Sequence, residues 1–127
     1  MPTAVTEGVR VTVEVQYLEE HSAPEENRYA FAYFVSIANE GDGRVQLRRR
    51  HWIITDGDGH VEEVEGPGVV GEQPVLETGD VHRYSSGCVL KTPIGTMEGT
   101  YEMHADAGRI FRARIPRFAL QKPGVLQ

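Results

Sequence analysis

The chain has 127 residues and a formal net charge of −6, from 13 basic and 19 acidic side chains. This length predicts one domain over residues 1–127 that folds without metal or disulfide, and the acidic balance disfavours a nucleic-acid partner. The single cysteine, Cys88, and the short apolar runs predict a cytoplasmic protein with no signal peptide and no membrane insertion.

Two long segments near the N-terminus alternate apolar with polar or small residues. Residues 9–17 carry apolar side chains at every second position, and residues 29–37 do the same with aromatic and β-branched residues. A period of two is typical of strands rather than helices. We therefore expect two strands here, with Tyr29, Phe31 and Tyr33 directed into the core.

A third strand is expected over residues 45–55, but its pattern changes in the middle. Val45 and Leu47 share one parity, whereas Trp52 and Ile54 share the other. A β-bulge, which is one extra residue in the strand, or a bend between the two pairs would explain this switch. The lone Trp52 is then expected in the middle of the core.

The rest of the chain is predicted to form shorter strands separated by turns and loops. In chain order they are a tight turn at 56–59, a strand at 60–65, an irregular loop at 66–79, a strand at 81–85, a connection at 88–94 closed by Pro93, strands at 97–103 and 110–115, a stop at Pro116, and a partly extended tail. About seven strands separated by frequent turns predict an all-β fold. We expect a two-sheet immunoglobulin-like or fibronectin type III-like sandwich, with its core over about 9–118 and flexible termini.

Several words in the sequence resemble one known family. They are NRYAFAY at 27–33, RHWIITD at 50–56, GPGVVGEQP at 66–74, YSSG at 84–87, TP at 92–93, GTMEGTY at 95–101 and IPRF at 115–118. Together they resemble the bacterial ApaG family over nearly the whole chain. The resemblance implies a fibronectin type III-like sandwich, a link to cobalt and magnesium resistance or efflux, a protein-binding role and no catalytic residues. It also implies a nucleotide or pyrophosphate site at the glycine word.

That glycine word, Gly66-x-Gly68-x-x-Gly71, has the pattern of a dinucleotide-binding fingerprint. The fingerprint operates where a strand leads into a helix, whose N-terminus receives the pyrophosphate. Here Pro74 opposes a following helix, and several nearby glutamates would repel phosphate. Two interpretations remain: a nest of backbone N–H groups that binds an anion, or a loop whose glycines serve backbone geometry.

The basic run at 48–51 is divided between the two faces of its strand. Arg50 shares a face with Trp52, and His51 points the other way. Two interpretations of Arg50 follow. It is either a residue at the core margin that is paired with a glutamate or an anion-binding group beside the glycine loop. Arg50 and His51 are the residues that we associate with Gly66, Gly68 and Gly71 in a candidate ligand site.

The acidic turn Asp56-x-Asp58-Gly59-His60 faintly resembles a calcium loop. A full loop needs a bidentate glutamate at its twelfth position, which here is Pro67. A hairpin turn is therefore expected, with weak divalent-ion binding by Asp56, Asp58 and His60 as the alternative.

Three functional hypotheses follow from these residues. The first is a non-catalytic interaction module that binds an unidentified protein partner by a sheet edge or end loops. The second is binding of a phosphorylated small molecule at the glycine loop, by a sensor or by an enzyme that acts on phosphorylated nucleotides. The third is direct binding of magnesium or cobalt, with no other cofactor expected. A homodimer is also possible, because sandwiches leave strand edges open.

Overall fold

A computed structural model describes residues 1–125 as nine strands. Their bounds are β1 Thr3–Thr6, β2 Val9–Tyr17, β3 Tyr29–Asn39, β4 Val45–Asp56, β5 Val61–Pro67, β6 Val75–Leu76, β7 Val81–Leu90, β8 Ile94–Ala105 and β9 Ile110–Gln121. The helical segments of the described range are three-residue 3-10 turns, none long or apolar enough to cross a lipid bilayer.

The strands form two antiparallel sheets, which confirms the predicted sandwich. The first sheet has the order β1-β2-β3-β7. The second has the order β5-β4-β8-β9, and the short β6 pairs with the first residues of β4. Alternate residues of both sheets meet in one core, since a strand turns every second side chain to the same face.

Aromatic side chains form the centre of this core. Trp52 is only 2% exposed, and its ring lies 5.2 Å from that of Tyr33, 5.9 Å from Phe118 and 6.4 Å from Tyr101. The rings of Phe118 and Tyr101 meet it nearly edge to face, which is a favourable geometry for aromatic pairs. The expected central position of Trp52 is confirmed.

The predicted bulge in the third strand is present at Arg48. The register between β4 and β8 runs from Leu47 opposite Met103 directly to Arg49 opposite Glu102, so Arg48 is the extra residue. Leu47 and Trp52 consequently both face the core and are almost completely buried.

Two predicted strand ends were wrong by at least five residues, the ends of β7 and β9. Residues 88–90 are not a connection but complete β7 by pairing with residues 29–31, because Cys88 and Leu90 continue its alternation. Pro116 does not end the last strand, since β9 continues to Gln121. Pro116 sits where the register with β8 shifts, on an outer strand of its sheet, so its missing N–H breaks no ladder.

The chain ends were expected to be flexible, and the N-terminal one contains a strand that the sequence analysis missed. A tight turn at Glu7 and Gly8, both with positive φ, folds β1 back onto β2. Residues 126–127, to which part of the C-terminal expectation applies, lie outside the described residues.

The two sides of the sandwich differ. On one side β1 and β2 pack against β9, where the backbone N–H of Arg114 donates to Thr6 Oγ1 at 3.0 Å and Arg109 pairs with Glu7. On the other side β5 and β7 border a gap between the sheets, which we call the open flank. The open flank is where polar side chains reach the space between the sheets.

We predict that Trp52→Ala destabilises the fold by about 3–5 kcal/mol, because it leaves a large cavity among three aromatic rings. Chemical denaturation followed by circular dichroism measures this change. Phe34→Ala is the matched control, since Phe34 is 42% exposed on the outer face of β3. Equal losses of stability in the two variants would contradict the central role of Trp52.

Candidate functional site

The glycine loop, residues 66–74, lies against the bulge of β4. At this point β4 exchanges β6 for β5 as its neighbour, so the backbone around Arg48 leaves the regular ladder. The Arg48 carbonyl accepts hydrogen bonds from the Gly68 N–H at 2.9 Å and from Gln73 Nε2 at 3.0 Å. The loop thus satisfies a backbone group that the bulge would leave unpaired.

Arg50 on β4 makes a second set of contacts with the glycine loop. Its Nη1 donates to the carbonyls of Pro67 at 2.9 Å and of Gly68 at 3.1 Å. Its guanidinium lies directly over Gly66, where a Cβ would be 3.1 Å from Nη1. The glycine at position 66 therefore makes room for the arginine. The structure brings Arg50 to Gly66 and Gly68, and it pairs Arg50 with carbonyls rather than with a glutamate.

His51 lies on the opposite face of β4, away from the glycine loop. Its Nε2 is 2.7 Å from Glu63 Oε1, and its ring borders a shallow depression on the outer face of the second sheet. Arginines and glutamates alternate across this depression, which includes Glu102 opposite both Arg49 and Arg112. The structure thus separates His51 from Arg50.

The turn of the glycine loop is built by positive φ angles at Gly68, Val70 and Gly71. This turn inserts Val69 into the core, where it is fully buried. The N–H groups of Gly68, Val69 and Glu72 all donate within the chain, the last two to each other's carbonyls. Most of the donors that an anion nest would need are therefore committed to holding the loop.

The open flank contains a cleft of about 290 Å³ between the sheets. Trp52 and Tyr33 line it from the core side, and Arg50 lines it from β4. Ser86 and Cys88, which alternate inward along β7, line it from the other sheet. Ser86 is the cross-strand partner of Tyr33, so the two hydroxyl-bearing side chains share this face.

Burial disfavours ionisation of the phenol and the thiol that line the open flank. It raises the pKa of the Tyr33 phenol, and it raises that of the Cys88 thiol to about 11, with the charge of Glu62 adding to the second shift. Deeper in the same gap, burial raises the pKa values of Tyr84 and Tyr101, whose hydroxyls contact each other. The cleft therefore offers neutral hydroxyl and thiol groups beside one cation, Arg50, with the exposed acidic side chain of Glu62 at its β5 margin.

The acidic hairpin at residues 56–60 is a turn in which the Asp56 carboxylate is already used. Asp56 Oδ1 accepts the backbone N–H of Asp58 at 2.9 Å and of His60 at 3.0 Å. This is an Asx-type turn, the predicted hairpin. Within residues 1–125, no three or more histidine, cysteine or acidic side chains cluster as metal ligands would.

Tyr33, Ser86 and Cys88 line one cleft that was not predicted from the sequence. The sequence pattern predicts Tyr33 in the core and Cys88 in a connection, and it assigns Ser86 to no element. Only the pairing of β3 with β7 aligns them, and that pairing joins residues about fifty positions apart. The available signal was the alternation from His82 to Cys88, which continues past the predicted strand end.

Comparisons with known proteins agree on one family. The family model described as the ApaG domain matches residues 19–105. A protein named ApaG from Brucella anthropi is 55% identical to this chain over 97% of this chain and 95% of the relative. A protein named ApaG from Pseudomonas aeruginosa is 55% identical over 93% of this chain and 94% of the relative. A crystal structure of an ApaA protein from Bordetella pertussis matches with a TM-score of 0.88 at 46% identity, covering 98% of each chain. The C-terminal domain of Wzt, at 11% identity and a TM-score of 0.57, covers 98% of this chain and 78% of its own and shares the fold alone.

We predict that Gly68→Ala destabilises the protein by about 2 kcal/mol or more. Its φ of +63° disfavours a side chain, and the new Cβ would lie 2.3 Å from the Glu72 carbonyl oxygen. Thermal and chemical denaturation measure the loss. Gly43→Ala is the matched control, because Gly43 has no positive φ and nothing lies within 4 Å of its Cβ position. If both variants keep wild-type stability, the loop does not support the bulge.

Proposed function

The chain belongs to the ApaG domain family, and we propose that it is a non-catalytic binding module whose open flank docks a partner protein. A cytoplasmic location, in keeping with its one half-buried thiol, is part of this proposal. The group most like a nucleophile in the cleft, Cys88, has its pKa raised away from neutrality, which favours binding over chemistry.

The observation that carries the proposal is the edge of β7. This ten-residue strand pairs with β3 alone within the described residues, so half of its backbone N–H and C=O groups face outward along the open flank. Proteins usually protect such edges with charge, short length or a covering element. The charged or titratable side chains of β7 are His82, Arg83, Tyr84 and Cys88. Residues 85–87, in the middle of the strand, carry none.

The edge of β5 across the open flank is protected in the usual way. It carries Glu62, Glu63 and Glu65 in seven residues, and these charges discourage pairing with another strand. The two edges that border one gap therefore differ in kind. An added strand of a partner protein would join β7 rather than β5.

The outer face beside β7 adds apolar area to this edge. Val81 is 42% exposed, Val89 is 50% exposed, and Phe34 on the neighbouring β3 is 42% exposed. A segment that pairs with β7 would cover part of this surface with its own outward side chains. Backbone pairing and apolar contact would then act together.

The association with cobalt and magnesium, implied by the family resemblance, is proposed to act through such a partner. Direct binding is less favoured by the hairpin geometry, because Asp56 Oδ1 is occupied by the turn and Asp58 and His60 are exposed. Exposed carboxylates hold divalent ions weakly unless several converge.

We predict that the double variant Val81→Lys and Val89→Lys loses the partner proteins that the wild type captures from extract of the native cell. Lysine on an edge strand opposes strand addition and removes the exposed apolar side chains. Quantitative mass spectrometry of paired captures measures the loss, and circular dichroism checks the fold.

The matched control for the lysine variants is Val5→Lys. Val5 is 52% exposed on β1, the opposite edge strand of the same sheet. The control is expected to capture the same partners as the wild type. Partners lost equally from both variants would place the interaction elsewhere, and captures indistinguishable from an empty resin would remove the proposal.

For the metal link, isothermal calorimetry with magnesium or cobalt chloride is expected to give no saturable heat below about millimolar ion, because no convergent ligand set occurs among residues 1–125. The triple variant Asp56→Asn, Asp58→Asn and His60→Gln is the comparison. Saturable micromolar binding that this variant abolishes would overturn the indirect assignment.

A further inference from the structure

Resting on the proposed function, we infer that the cleft of the open flank is a carboxylate pocket. Its occupant would be a glutamate side chain from an extended partner segment that pairs with β7. Alternate side chains of an added strand point to the same face, so every second residue of the segment enters the space between the sheets. One of these residues would reach Arg50.

Arg50 is the main reason to expect a carboxylate. It is half-buried between the sheets and makes no ion pair with an acidic side chain of residues 1–125. Only its Nη1 is engaged, by the carbonyls of Pro67 and Gly68. The other guanidinium nitrogens remain available, and a half-buried cation gains most from a partner of opposite charge.

Three of the polar side chains that line the cleft with Arg50 can donate hydrogen bonds. Ser86 and Tyr33 supply hydroxyls to the cleft, and Cys88 supplies a thiol. The Tyr33 phenol and the Cys88 thiol are protonated at neutral pH, and burial raises the pKa of each further above it. A carboxylate accepts hydrogen bonds only, so a cation beside several neutral donors matches it better than it matches an amide or an amine.

Glu62 defines what else the occupant needs. It lines the cleft from β5, where it is exposed, and its charge already acts on Cys88. Each acidic residue of the occupant would be repelled by Glu62, so a run of them is disfavoured, whereas for a single glutamate the attraction of Arg50 opposes this repulsion. We therefore assign the pocket to one isolated glutamate in an extended, otherwise uncharged segment.

The test uses Trp52 as the reporter, since it is the only tryptophan and lines the cleft. The probe is a peptide of roughly nine residues with blocked ends, alternating threonine and valine around a central glutamate, and its twin carries glutamine instead. We expect the glutamate peptide to change Trp52 fluorescence saturably and to bind about tenfold more tightly than its twin.

Protein variants separate the pocket from the strand edge. Arg50→Gln is expected to remove the preference for glutamate. Because Arg50 also holds the glycine loop, the melting temperature of the Arg50→Gln variant is measured alongside its peptide binding. Ser86→Ala and Tyr33→Phe leave those loop contacts in place and are each expected to reduce the preference several-fold.

Each outcome decides the inference. A glutamate preference that falls in Arg50→Gln and in Ser86→Ala supports it. Equal binding of the two peptides overturns the carboxylate pocket, and it leaves docking on β7 to be judged by the capture experiment with the lysine variants. Failure of both peptides to bind the wild type also overturns the pocket, and only loss of the captures as well would remove the proposed function.

Discussion

The bulge at Arg48 is the constraint on which the arrangement of this protein depends. Without the extra residue, Leu47 and Trp52 would face opposite sides of β4, and one of them would be exposed to water. With it, both are buried, and Arg50 is carried to the same inner face. The geometry that completes the core therefore also directs a charged side chain between the sheets.

The glycine loop is best understood as the partner of that bulge. Where β4 changes neighbours, the Arg48 carbonyl needs donors, and the Gly68 N–H with Gln73 provides them. Arg50 then holds the loop from the other direction through two carbonyls. Glycines are needed because the turn requires positive φ and because Gly66 lies beneath a guanidinium. The same glycine spacing occurs in a dinucleotide fingerprint, but here the strand geometry requires it, and no helix N-terminus is involved.

Alternation along single strands was enough to predict the sandwich, the bulge and the central position of Trp52, because each depends on neighbours close in sequence. The cleft could not be predicted this way. It requires Ser86 to lie opposite Tyr33 and Arg50 to lie across the gap, and both depend on long-range pairing. The strand end predicted at Pro116 was wrong for a related reason. The strand continues through this proline only because it is an outer strand with a register shift at that point.

Arg50 differs from the other arginines of the chain in being half-buried, whereas they are all exposed. Arg10 and Arg44 pair with glutamates on the surface, where water screens the charge and the pairs add little stability. Arg50 has given up part of its hydration and has received only carbonyl dipoles within the described chain. A neutral donor could hold one loop carbonyl without the desolvation cost of a charge. The cation at position 50 therefore contributes less to stability than its hydrogen bonds suggest, and what it adds is an attraction for negative charge at the mouth of the open flank.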